Sequence, residues 1–227
     1  MYDAVIFDAD GVLLDSEVLY HVIELEVLSE IGLVYDPHDY RTRFMGMHEK
    51  TYVAALDAEC RAQLGRPLPE TFLAHVRALC KIACDDRLEC VPGAMEAVAA
   101  LRGPKAVASS SDTAALARKL NKVGLAPMFG THVYSADAVP HGKPHPDIFL
   151  HAAAGLAAAG LKVDPARSLA IEDSVNGVLA ARAAGMTVWG FTGGGHMDDR
   201  AEAGLTAAGA ERVVGSWAEA RTLFAGF

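Results

Sequence analysis

The sequence predicts an α/β protein: a doubly wound, parallel, Rossmann-like sheet core with an inserted α-helical domain. Three observations lead there. Short apolar runs alternate with helix-period stretches over most of the chain, the pattern of parallel strands covered by helices on both faces. Residues 15–88 break that alternation with helical periodicity and no convincing strand. Polar residues capable of chemistry follow directly on the apolar runs, where doubly wound sheets place their ligands.

The first strand is the run Ala4-Val5-Ile6-Phe7. Further strands are expected at Lys105–Ala108, Thr131–Tyr134, Ser168–Ile171, Thr187–Phe191 and Arg212–Val214. Helices are expected between them at Ala94–Leu101, Thr113–Val123, Asp147–Ala159 and Ser174–Ala184, with Gly124 and Gly185 as C-terminal stops. In the insertion, Val18, Val22, Leu25 and Leu28 recur at three- and four-residue intervals, and Phe72, Val76 and Leu79 repeat the pattern. Val91-Pro92-Gly93 reads as the re-entry turn. The predicted division is therefore residues 1–14 with 89–227 as the core and 15–88 as the helical insertion.

A chain of 227 residues accommodates one large domain, or one domain with an insertion. Twenty basic residues against 29 acidic ones give a formal charge of −9, which argues against a general nucleic-acid binder. A small anionic substrate stays open, because a local field can oppose the net charge. Cys60, Cys80, Cys84 and Cys90 are too few for a disulfide scaffold and read as reduced thiols. Cys80 and Cys84 can share a helix face, and packing explains them better than a metal. No secretory signal and no stretch of roughly 18 apolar residues is visible, so the expected setting is cytoplasmic, with no membrane partner.

The most informative feature is Asp8-Ala9-Asp10-Gly11 at the end of the first strand. Two carboxylates so close to a buried strand are costly unless something positive sits between them, or unless one attacks while the other moves protons. Ser109-Ser110-Ser111 follows the second strand, His141-Gly142-Lys143-Pro144 lies near the third, and Glu172-Asp173-Ser174 follows the fourth. Carboxylate oxygens suit Mg²⁺. A lysine and a hydroxyl beside them suit a phosphoryl group, whose charge the cations neutralise so that an aspartate can attack it. That attack forms an acyl-phosphate, and the second aspartate protonates the departing alcohol and later takes a proton from water.

These residues resemble, in order, the four motifs of the haloacid dehalogenase superfamily of phosphohydrolases. Phe7-Asp8-Ala9-Asp10-Gly11-Val12 is similar to the first, Ala108-Ser109-Ser110 to the second, Gly142-Lys143-Pro144-His145-Pro146-Asp147 to the third and Ile171-Glu172-Asp173-Ser174 to the fourth. The resemblance implies that Asp8 is nucleophile and metal ligand, and that Asp10 is general acid/base with its main-chain carbonyl on Mg²⁺. It implies that Ser109 and Lys143 bind phosphate, Asp173 ligates the metal and Glu172 supports it directly or through water. The superfamily's dehalogenase branch lacks the second aspartate, so Asp10 favours phosphoryl transfer.

The helical insertion resembles the cap of the branch that carries it between the first two motifs, where the cap excludes water and selects the leaving group. Arg41-Thr42-Arg43-Phe44-Met45-Gly46-Met47-His48-Glu49-Lys50 is similar to that cap's substrate loop, which makes Gly46, His48 and Lys50 candidate specificity residues. The branch includes sugar-phosphate phosphatases and β-phosphoglucomutase. The mutase places basic residues where this chain has Glu49 and Asp112. The implied activity is therefore a phosphatase for a small phosphorylated metabolite, with a sugar or sugar-acid phosphate as the expected class. A sugar phosphomutase and a non-catalytic regulatory or binding member of the fold are the alternatives.

Blander readings compete at each motif. Asp8–Gly11 lacks the ligand spacing of a calcium loop. Ser110 and Ser111 read as structural turn residues. His141 and His145 are spaced as a zinc pair would be, but Gly142 and Pro144 disfavour the helix that would pair them. Gly193-Gly194-Gly195-His196 lacks the ending of a P-loop and reads as a flexible loop, and the glycine fingerprint of a nicotinamide site is missing after the first strand.

Overall fold

The computed structural model describes residues 2–44, 47, 49–197 and 200–224. Six strands form one sheet: β1 (Ala4–Phe7), β2 (Lys105–Ser109), β3 (Val133–Ser135), β4 (Ser168–Glu172), β5 (Thr187–Phe191) and β6 (Arg212–Val214). Their order is β3-β2-β1-β4-β5-β6, and every neighbouring pair is parallel. Phe7 stands level with Val107 on one side and Ile171 on the other. β1, β2 and β4 are buried almost throughout, as expected of parallel strands covered on both faces.

Four helices precede β2 in the insertion: α1 (Ser16–Glu30), α2 (Pro37–Phe44), α3 (Glu49–Leu64) and α4 (Phe72–Arg87). The others are α5 (Ala94–Ala100), α6 (Thr113–Lys122), α7 (Ala126–Phe129), α8 (Asp147–Ala158), α9 (Val175–Ala183), α10 (Ala201–Ala208) and α11 (Trp217–Phe224). α8, α9 and α10 bring Phe149, Val178 and Leu205 onto Ile6, Ala106, Ala170 and Val188. Phe7, on the opposite face, meets Phe129 of α7 edge-on with ring centroids 5.9 Å apart and Trp217 of α11 at 5.7 Å. The buried Trp217 indole N–H donates to the Val12 carbonyl at 2.9 Å, so no polar group is stranded there.

Contacts divide the chain into two compact units, residues 1–17 with 88–227, and residues 18–87. The second unit packs Ile23, Val27, Leu28, Tyr40, Phe44, Leu56, Phe72 and Val76 into its own core. Val22, expected on the buried stripe of α1, is instead 43% exposed, because the stripe runs through Ile23 and Val27 four residues apart. Within this unit the Tyr40 hydroxyl donates to Glu24 at 3.0 Å and lies 2.5 Å from the Tyr52 hydroxyl. Burial raises the Glu24 carboxyl above its usual range, against the pull of that hydrogen bond.

The four cysteines are free thiols, with Cys60 and Cys84 buried. No helix among the described residues is long and apolar enough to cross a membrane.

β1 has β2 on one side and β4 on the other, so the strand order reverses at β1. In a sheet of this type the crevice beyond the carboxyl end of that strand is where ligands bind.

Candidate active site

Asp8 is the first residue beyond β1, and its amide still donates to Ile171 of β4 at 2.9 Å. The chain then turns tightly: the amides of Leu13 and Leu14 both donate to the Ala9 carbonyl at 2.9 Å, and the Gly11 amide to the Leu14 carbonyl at 2.8 Å. Gly11 takes φ of +77°, and a β-carbon there would lie 1.8 Å from a carboxylate oxygen of Asp173. Glycine is required twice over, by the backbone angle and by the approach of that carboxylate.

Lys143 reaches in from the loop before α8, and its side chain is only 6% exposed. Its ammonium donates to Asp8 Oδ1 at 2.5 Å, to the Ala108 carbonyl at 3.1 Å and to Glu172 Oε1. It also lies 5.1 Å from the centre of the Phe149 ring. Burial alone would lower its pKa, but the two carboxylates outweigh burial and hold it well above the ordinary lysine range.

Glu172 is the last residue of β4 and is fully buried. Its second oxygen accepts from the Ser174 amide at 3.1 Å and the Ser174 hydroxyl at 3.0 Å. Ser174 in turn caps α9, its hydroxyl accepting from the Gly177 amide at 3.0 Å. α9 can lie against this carboxylate because residue 177 has no side chain: a β-carbon there would come within 1.9 Å of Glu172.

Asp8, Glu172 and Asp173 each offer a carboxylate oxygen, and these lie within 4.8 Å of one another. Burial raises the carboxyls of Asp8 and Asp173 well above the usual carboxylate range, and neighbouring carboxylates add to the rise. Three carboxylates here share one ammonium. His196 stands against Asp173, Nε2 to Oδ2 3.2 Å, but burial holds its imidazole below the ordinary range, so it is neutral at pH 7 and leaves the charge uncompensated. A hard divalent cation would meet this cluster with oxygen donors alone and cancel the charge that remains, which is the preference of Mg²⁺.

Asp10 has a different environment from Asp8. Its carboxylate lies outside the three-carboxylate cluster and accepts from Ser16, from the Ser111 hydroxyl at 2.8 Å and from the ammonium of Lys119 at both oxygens, 2.7 Å at Oδ2. Burial would raise its pKa, but Lys119 above all, with the two hydroxyls, brings it below the usual value. Two aspartates two residues apart thus sit in opposite electrostatic settings.

Of the sequence candidates, Asp8, Lys143, Glu172 and Asp173 converge, and Asp10 stands beside them in its own pocket. Ser109 is buried at the end of β2, its hydroxyl accepting from the Ser111 amide at 3.1 Å. Lys50 is exposed in the first turn of α3, at a shallow depression lined also by Val53, Ala54, Asp57 and Leu73. Gly46 and His48 lie outside the described residues.

Four residues at the site escape a reading of motifs, the first being Ser16, whose hydroxyl donates to Asp10. Ser111, read as a turn residue, bonds Asp10. His196, read within a flexible glycine loop, is buried against Asp173, and its Nδ1 has no partner among the described residues. Lys119 lies in a helix treated as an ordinary amphipathic segment, although Leu116, Lys119 and Leu120 share its buried face. A cation at that spacing within an apolar stripe was the available signal.

A family model described as haloacid dehalogenase-like hydrolase matches residues 2–185. Hexitol phosphatase B of Escherichia coli K12 is 32% identical over 186 residues, covering 81% of this chain and 80% of that protein. The 6-phosphogluconate phosphatase of the same organism is 28% identical over 195 residues, covering 86% and 84%. Among solved structures, a conserved haloacid dehalogenase-like protein from Agrobacterium tumefaciens superposes with a TM-score of 0.88 at 35% identity, covering 100% of this chain and 99% of that one.

Proposed function

The chain belongs to the haloacid dehalogenase-like hydrolases, and we propose that within them it is a Mg²⁺-dependent phosphatase for a small phosphorylated sugar or sugar acid, acting through an aspartyl-phosphate. Its place among phosphoric monoester hydrolases rests on the family match and on relatives that are themselves phosphatases. The substrate class is supported by the names of those relatives, a hexitol phosphatase and a 6-phosphogluconate phosphatase.

The observation that carries the chemistry is the separation of the two aspartates. Asp8 faces a lysine and two further carboxylates, while Asp10 faces a different lysine and two hydroxyls. In the proposed first step an Asp8 oxygen forms a bond to phosphorus as the bond from phosphorus to the alcohol oxygen breaks. Lys143 neutralises charge on the phosphoryl oxygens and holds the nucleophile, and Glu172 fixes Lys143 from behind. Ser109 lies at the end of β2, where its hydroxyl could turn toward a phosphoryl oxygen. Asp10, whose carboxyl Lys119 holds low, first takes up a proton from solvent, gives it to the departing alcohol, then takes one from the water that cleaves the acyl-phosphate. Mg²⁺, held by Asp8 and Asp173 with Glu172 and the Asp10 carbonyl in support, would supply positive charge to the phosphoryl group.

The test is phosphate release from a panel of hexitol, hexose and sugar-acid phosphates, with and without a chelator. Turnover that needs Mg²⁺ and falls at least 10³-fold in Asp8→Asn is the expected result. Substantial residual activity in that variant would remove Asp8 as nucleophile. Isomerised sugar phosphate without phosphate release would indicate a mutase, and no turnover of any compound a binding protein.

A further inference from the structure

We propose that Lys119 is a positioning residue of this site, which holds the Asp10 carboxylate in the orientation needed for proton transfer to the leaving oxygen and from the attacking water. The inference rests on the phosphatase reading of Asp8 and Asp10.

Lys119 lies on α6, the helix that follows the second motif. Leu116 and Leu120 on the same face are buried, and Lys119 itself is only 3% exposed. Lysine is almost never buried so completely without a partner, since desolvating an ammonium is costly. An apolar residue would complete this stripe at no such cost, so the cation needs a reason beyond packing the helix. Its partners supply one. The ammonium donates to both oxygens of Asp10 and to the Ser111 hydroxyl at 2.8 Å, and that hydroxyl bonds Asp10 in turn. Helical side chains lean toward the N-terminus of their helix. A long side chain at 119 therefore reaches back toward Ser111 and the end of β2, where the reacting groups converge.

The pieces lie far apart in sequence: 109 residues separate Lys119 from Asp10, while Ser16 and Ser111 come from two further segments. With Lys119 gripping both oxygens, the carboxylate plane of Asp10 cannot rotate freely. A general acid must meet the leaving oxygen at hydrogen-bond distance, so its orientation bears on rate. Lys143 plays no part in this, because its bonds go to Asp8, Ala108 and Glu172. The two buried lysines thus divide the site, one serving the nucleophile and the other the acid/base.

The experiment compares 4-nitrophenyl phosphate, whose leaving group needs no proton, with an alkyl or sugar phosphate, whose leaving group does. Lys119→Met should lower kcat/KM for the alkyl ester at least 10-fold while changing that for nitrophenyl phosphate by less than about 3-fold, because kcat/KM ends at formation of the acyl-phosphate and excludes the hydrolysis that both esters share. Combined with Asp10→Asn, the same change should have little further effect, because the group it positions is already disabled. Lys119→Gln, which keeps one donor, should fall between, and it serves as the readout where thermal melting shows the methionine variant to be misfolded. Equal losses in kcat/KM on both esters, an unchanged or higher kcat/KM for the alkyl ester, or additive losses with Asp10→Asn would overturn the proposal. Failure of the parent protein to hydrolyse either ester would instead overturn the phosphatase reading.

Discussion

Replacing Gly177 with alanine sets two physical effects against each other. Gly177 lies in the first turn of α9, where alanine normally stabilises a helix by about 0.4–1 kcal/mol through the unfolded chain. A β-carbon there, however, would stand 1.9 Å from both Cδ and Oε1 of Glu172. The carboxylate would have to move, and being fully buried it has no solvent to move into. Moving it breaks its bonds to the Lys143 ammonium and to the Ser174 amide and hydroxyl. All three bonds are made to a carboxylate, and each such bond contributes roughly 1.5–3 kcal/mol. Set against the helix gain, the net loss is at least about 4 kcal/mol, or roughly 8–16 °C in melting temperature for a protein of this size. Gly204→Ala in α10 is the control. Its β-carbon would meet only a methyl of Val175 at 3.6 Å, an ordinary contact, so that variant should melt at or above the parent temperature. Thermal melting by circular dichroism reads both, and phosphatase activity should fall with the first alone. If Gly177→Ala melted as high as the parent, the packing of α9 onto Glu172 would not be what holds Lys143 in place.

Mg²⁺ should raise the melting temperature, by about 2.7 kcal/mol of added stability at one hundred times its dissociation constant, and Asp173→Asn should abolish most of that gain; an equal gain in the variant would refute the assignment of the ligand. In the helical unit, burial raises the Glu24 carboxyl above its ordinary value of 4.5. The folded chain then holds a proton that the unfolded chain has released, so stability falls as pH rises from about 4.5 through the raised folded value. Glu24→Gln, which can still accept from Tyr40, should therefore melt higher than the parent at pH 7–8, with the difference vanishing below about pH 4.5. A difference independent of pH would show that ionisation of Glu24 is not its source.

The parallel sheet was legible because its strands are buried on both faces and so read as short continuous apolar runs, each followed by the residues that matter. Asp8, Glu172 and Asp173 could be gathered from that rule alone, since strand ends point to one crevice, whereas Lys143, on the loop before α8, needed the third motif. α10 and α11 are not among the helices expected from the sequence, although their apolar residues are patterned at least as strongly as those of α9. The Val22 expectation failed because three- and four-residue spacings admit neighbouring stripes, and only packing chooses between them.

Lys119 was missed for a different reason. A motif records groups that are near in sequence or near a strand end, whereas Lys119 sits two turns into a helix and reaches its partner through the length of its own side chain. The same limit explains why the two aspartates looked equivalent. Their difference arises from partners that the chain brings from residues 16, 111 and 119 to one and from 143, 172 and 173 to the other. Burial pushes both carboxyls upward. Asp8 stays high because its ammonium is shared with neighbouring carboxylates, while Asp10 falls because the Lys119 ammonium donates to both of its oxygens. The paired motif announces that two carboxylates are needed; the separate lysines make them chemically different.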